Sequence, residues 1–191
     1  MIRIPKEEIL FIVTVVIISS FVNLLECSGQ AARKSAPQKK NEPKSWSARQ
    51  MEQIEKSIVH YTNRERVKKG LKPLQPSDAL KYTAGKHTEH MCEAQLLAHE
   101  DEAFPQEWRT LSQRLKIANV RAGAENVAYR TIEAKGDTWA EEVVKGWMKS
   151  PPHRKNILDK SQKYIGVTVL PCKNEIGYTT QVFSPNPGSM P

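Results

Sequence analysis

Three observations in the sequence predict a mixed α/β domain over residues 51–185. Two stretches, 51–70 and 77–94, repeat apolar residues at the three-to-four spacing of an amphipathic helix. A third, Glu141 to Leu158 (EEVVKGWMKSPPHRKNIL), does the same through Val143, Val144 and Trp147 until it meets Pro151 and Pro152. Near the C-terminus, 164–170 and 176–183 are β-rich runs joined by Pro171–Glu175, which reads as a hairpin. With 191 residues in all, one domain fits and a second has no room. Periodicity alone delivers helices and a hairpin, without their layering.

Residues 1–27 hold Arg3 and Lys6 ahead of an uncharged apolar run, Ile9 to Leu25. That run predicts a signal peptide or a retained membrane anchor, and its length, about 25 Å as a helix, leaves both readings open. Leu24 to Cys27 has the outline of a lipoprotein box, but Glu26 stands where a small residue is required. Residues 28–50 are rich in Lys, Ser, Ala, Gln and Pro and predict a disordered basic linker. Of the formal net charge of +8, this linker carries +5. A basic segment attracts anionic surfaces, yet no zinc-finger spacing, helix-turn-helix pattern or aromatic RNA-binding motif accompanies it, so nucleic acid is excluded as a partner.

In the domain, Met51, Ile54, Ile58 and Tyr61 form the stripe of a first helix ending near Gly70, and Leu71 to Pro76 reads as an extended connector. Ser77 and Asp78 are good caps for a second helix with the stripe Leu80, Ala84, His87, Met91 and Ala94. His87 on that stripe reads as a hydrogen-bonded core residue. His87 and His90 lack the order of a zinc-protease motif. Leu111, Leu115 and Ala118 allow a short helix, and Glu125 sits among apolar residues in a short strand, where a buried carboxylate needs a partner such as a histidine. Ser150 ends the tryptophan helix, since the residue before a proline leaves the helical region, and a sharp turn presents His153 and Arg154. Residues 186–191 form a short tail. Cys92 and Cys172 are the two cysteines inside the domain; a disulfide and two separate thiols are both open.

The order W-M-x-S-P-x-H-R-x-N-I-L, from Trp147 to Leu158, resembles the signature of the bacterial branch of the CAP superfamily (SCP domains), related to cysteine-rich secretory and plant pathogenesis-related proteins. Asn63 to Leu80, Ala84 to Met91, the LLAHE ending at Glu100, Ala122 to Tyr129, and the two β-rich runs agree in the same order. The resemblance covers roughly Met51 to Ser184 and implies a three-layer α/β/α sandwich with a small antiparallel sheet. It also implies export, to an extracellular or periplasmic location, with the N-terminal segment as a membrane anchor if it is kept.

The resemblance further implies a cleft built from two histidines and two glutamates. His99 and Glu125 match the first of each, Ser150 stands in place of the second glutamate, and Tyr178 replaces the second histidine. His153 is the substitute that this branch offers. These five, His99, Glu125, His153, Ser150 and Tyr178, are the candidate cleft. A divalent metal such as zinc would have His99, His153 and Glu125 as ligands, with water as the fourth. No serine elbow or cysteine nucleophile appears in a recognisable motif beside them. The expected function is therefore a non-enzymatic binding module for a lipid or cell-envelope component; a hydrolase with His99 and His153 as base and acid, and an envelope-attached structural protein, are the alternatives.

Overall fold

Ser47 starts the first helix through a reciprocal cap: its hydroxyl accepts the Gln50 amide proton, and the Gln50 side chain accepts from the Ser47 amide at 2.9 Å. The structure, a computed structural model, describes residues 45–132 and 135–191. The apolar run 9–25, Cys27 and most of the basic linker lie outside the described residues. Helix α1 (Ala48–Lys68) thus begins before Met51, and Trp46, ahead of the cap, is buried edge-on against Trp139 with ring centroids 5.0 Å apart. The core therefore reaches back past the boundary expected at Met51. At the other end Gly70 takes φ +72°, and the Leu71 amide turns back to the Arg66 carbonyl at 3.1 Å.

The extended connector contains strand β1 (Gln75–Pro76), and Ser77 caps helix α2 (Asp78–Ala94) by accepting from the Leu80 amide. The expected α2 stripe is buried from Leu80 to Met91, while Ala94 is exposed. Helix α3 (Leu111–Ile117), strand β2 (Ala124–Thr131), helix α4 (Gly136–Lys149), helix α5 (Pro151–Leu158), and the hairpin strands β3 (Tyr164–Cys172) and β4 (Ile176–Ser184) follow.

The strand order is β1-β3-β4-β2. β2, β3 and β4 pair antiparallel, and two-residue β1 adds parallel to β3. Side chains alternate across the sheet. Ile165, Val167, Val169 and Phe183 pack with α1 and α4, around Ile54, Ile58, Trp139, Val143, Val144 and Trp147. The opposite face meets α2 and α3 through Leu80, Ala84, Leu115 and Val182. Helices on both sides of one sheet make the three-layer α/β/α sandwich. α2 lies so close to β3 that a Cβ on Gly166 would collide with the backbone of Leu80 and Lys81.

Cys92, late in α2, is joined to Cys172 at the end of β3 in a disulfide with α-carbons 5.6 Å apart. The alternative of two separate thiols is thereby set aside.

Candidate functional site

Glu125 is the second residue of β2, an edge strand of the sheet, and its side chain points to the α2 face. Its carboxylate is 1 % exposed and every contact on it is cationic or able to become so. Arg114, fully buried on α3, donates from Nη2 to Oε2 at 2.8 Å. On the other oxygen, Oε1, His99 Nδ1 donates at 2.9 Å, and His87 Nε2 stands 3.6 Å away. Burial alone would raise the carboxyl, but the His99 hydrogen bond, the nearby His87 and Arg114 together hold it below the ordinary glutamate value. Glu125 is thus a fixed anion.

Arg114 is the functional residue that the sequence reading passes over. It stands on the inner face of α3 with Leu111, Leu115 and Ala118 nearby on the same stripe, so a basic residue on an apolar stripe was the available signal. Its Nη1 donates to the carbonyls of Trp108 and Arg109, and its Nη2 also reaches the His99 carbonyl at 3.0 Å. One guanidinium therefore holds both the carboxylate and the backbone of the residue that the carboxylate orients.

The loop carrying His99 is fastened from beneath. His87 is buried with Nε2 on the Ala98 carbonyl at 2.9 Å, and burial pushes its pKa to about 4. It is a core histidine, as its stripe position implies, and it also touches the site. His90 pairs with Asp101 at 2.8 Å and stacks on Phe104 with ring centroids 3.9 Å apart.

His153 arrives from the other helical layer. The expected sharp turn after Ser150 is instead a helix–helix junction. Ser150 ends α4 and starts α5, whose first two residues are Pro151 and Pro152. Proline has no amide to donate, and the first helical amides need no intrahelical acceptor, so two prolines that stop one helix can open the next. His153 is consequently in the first turn of α5. Asn126 Nδ2 donates to its carbonyl at 3.3 Å, and Asn156 Nδ2 donates to the Glu125 carbonyl at 3.1 Å and to Asn126 Oδ1 at 2.9 Å. These amides dock α5 on β2.

The result is a His99–His153 ring pair, centroids 6.3 Å apart and tilted by 48°. The Glu125 hydrogen bond raises the pKa of His99, whereas burial, and then the charge of His99, lowers that of His153. The proton belongs on His99. Half of the His99 side chain is exposed, so the pair opens to solvent.

Tyr178 is placed elsewhere. It pairs with Tyr129 in the register, two residue pairs beyond Val127, about 13 Å along the strand from Glu125 at 3.3 Å per residue. It is buried with Met91 and Val127, and its ring neighbours Tyr129 at 5.7 Å. Ser150 lies one turn before His153; its amide donates to the carbonyls of Gly146 and Trp147, and its own carbonyl accepts from the Arg154 amide. Tyr178 thus joins an apolar cluster.

The expected zinc ligands do not fit a three-ligand centre. Both oxygens of Glu125 are engaged by Arg114 and His99, and the Nδ1 of His99 is spent on that bond. Among the described residues no group of three or more His, Cys, Asp or Glu is placed to hold a metal. Glu125 orients His99; it is not itself a ligand.

The fold has counterparts among known proteins. The family model of the cysteine-rich secretory protein family, CAP, matches residues 59–183. YkwD, an uncharacterized protein of Bacillus subtilis, is 38 % identical over 113 residues, which are 59 % of this chain and 41 % of YkwD. The chain therefore spans less than half the length of that curated relative. Among solved structures, an outer surface protein of Borrelia burgdorferi superposes with a TM-score of 0.61 at 18 % identity, covering 78 % of this chain and 100 % of that one. An extracellular SCP-domain protein of Bacillus anthracis gives a TM-score of 0.57 at 23 % identity, over 73 % of this chain and 44 % of that one. Both share the fold.

Proposed function

Because the chain belongs to the CAP family of cysteine-rich secretory proteins, we propose that it is an exported binding module, taking a lipid or cell-envelope component at the His99–His153 cleft. The observation that carries this reading is the charge pattern of the cleft. Arg114 and Glu125 cancel, His99 is biased toward its cation, and His153 is biased toward its neutral form. Such a site offers one cationic N–H and one neutral imidazole to an anionic or strongly polar headgroup. Export is supported by the names of its fold relatives, an outer surface protein and an extracellular protein.

Acid–base hydrolysis is the weaker reading. A His–carboxylate pair is half of a nucleophile-activating array, but no serine hydroxyl or cysteine thiol is hydrogen-bonded to His99 or His153 among the described residues. The test is purification of the full chain from its native host, with mass spectrometry of what it carries. A headgroup-bearing ligand present in the wild type and lost from His99→Ala/His153→Ala supports the proposal. A ligand retained by that variant, or turnover of an ester or amide that the variant loses, overturns it.

A further inference from the structure

Away from the His99–His153 pair, the connector after α1 and the loop between α5 and β3 form the walls of a cavity of about 420 Å³. Lys72, Lys160 and Lys163 line it, together with Leu71, Gln162 and Tyr164. None of the three lysines is paired with a carboxylate among the described residues. Asp159, next to Lys160 in the chain, spends its carboxylate on the amide and hydroxyl of Ser161 and on Gln162 Nε2.

The walls are held by Arg66, a buried cation without a direct carboxylate partner among the described residues. Its Nε donates to the Lys72 carbonyl at 3.0 Å, Nη1 to the carbonyls of Ile157 and Asp159 at 2.7 and 2.9 Å, and Nη2 to that of Gln162 at 3.2 Å. Those oxygens, including the ones at the C-terminal end of α5, would otherwise repel an anion. The guanidinium engages them and adds its own charge. The lining then carries three lysines, all exposed, and one further feature. Gln162 is 7 % exposed, and its Oε1 is buried with no hydrogen-bond partner among the described residues. A buried acceptor without a donor costs free energy that a hydroxyl can restore.

We propose that this cavity binds a phosphorylated polyol, the phosphate on Lys72, Lys160 and Lys163 and a neighbouring hydroxyl on Gln162. The same chemistry occurs in a polyol-phosphate polymer and in a phosphoglycerol lipid headgroup. The site is independent of the His99–His153 cleft, so its failure leaves the cleft reading untouched.

The experiment uses the full chain at about 0.15 M salt, where diffuse surface attraction is largely screened. Soluble glycerol-phosphate oligomers, sn-glycerol 3-phosphate and inorganic phosphate are titrated by calorimetry, and phosphatidylglycerol and phosphatidylcholine vesicles are co-sedimented. Lys72→Ala/Lys160→Ala/Lys163→Ala is compared with a charge-matched control at exposed sites elsewhere, Lys116→Ala/Lys149→Ala/Lys173→Ala. The expected result is a loss of at least about tenfold in the cavity variant with under about twofold in the control, as charge-assisted contacts imply. Binding of the oligomers alone identifies a polymer, and binding of the phosphatidylglycerol vesicles identifies the lipid headgroup. Equal losses in both variants, no binding of any probe, or inorganic phosphate binding as tightly as sn-glycerol 3-phosphate overturns the proposal.

Discussion

Arg114 Nη2 lies 2.8 Å from Glu125 Oε2, with both side chains removed from solvent. A buried pair of this kind is expensive to break, because removing one partner leaves the other charged in a medium that cannot solvate it. Arg114→Met is expected to cost about 3–5 kcal/mol of unfolding free energy, measured by urea denaturation. Arg114→Met/Glu125→Gln should recover part of that loss; additive losses would show that the two residues act separately.

His87 gives the fold a defined acid sensitivity. Its pKa is about 4 in the folded chain against about 6.5 unfolded. In that interval the unfolded chain binds a proton that the folded one refuses, so stability falls as pH drops from 6.5 toward 4, by roughly 3 kcal/mol. Glu125 adds loss in the same direction but lower, as pH falls through its depressed value. His99 has the opposite sign: its raised pKa stabilises below the unfolded value, and that gain fades as pH rises through the folded one. His87→Gln should flatten denaturation midpoints between pH 4 and 6.5; an unchanged slope there would assign the effect to another group.

Trp147 is 2 % exposed and donates from Nε1 to the Val127 carbonyl at 3.1 Å, tying α4 to β2. Trp147→Ala should cost about 3–5 kcal/mol, the range for emptying a large aromatic site. A loss under about 1 kcal/mol would mean that the indole is not a core anchor.

Trp46 moves the useful truncation point. It covers Gly177, where a Cβ would stand 2.7 Å from the indole, and it meets Trp139 edge-on. A chain starting at residue 45 should melt cooperatively, whereas one starting at Met51 should lose about 3–5 kcal/mol through the missing indole and cap. Equal melting temperatures of the two chains would show that Trp46 is dispensable.

The Cys92–Cys172 bridge spans a sequence separation of 80. Cys92→Ser/Cys172→Ser should lower stability by about 2–5 kcal/mol, and a reductant should lower the wild-type melting temperature while leaving the variant unmoved.

The layers of helix and the hairpin were legible because α1, α2 and α4 repeat apolar residues at helical spacing and β3 alternates Ile165, Val167 and Val169 with Gly166 and Thr168. The stacking of those elements came from the family resemblance, since periodicity says which face is buried but not against what. The site was legible in part for the same reason. His99 and Glu125 stood out as polar groups in places that packing did not explain. Arg114 did not, because a basic residue in a seven-residue helix reads as solvated unless its stripe position is weighed. Pro151 and Pro152 look in the sequence like a stop, although the missing amide that ends α4 is harmless at the start of α5. Tyr178 matches a motif position of the family, and only the β2–β4 register shows that four residues of strand separate it from the partner of Glu125.

His99, Glu125 and His153 all fall between Cys92 and Cys172 in the chain. A single proteolytic cut anywhere in that interval would therefore leave two pieces still covalently joined, with the layers packed on either side of the sheet. Nicked protein would run as one band without reductant and as two with it, and would keep its shape in the meantime. The bridge thus makes the His99–His153 pair tolerant of damage to the backbone that displays it.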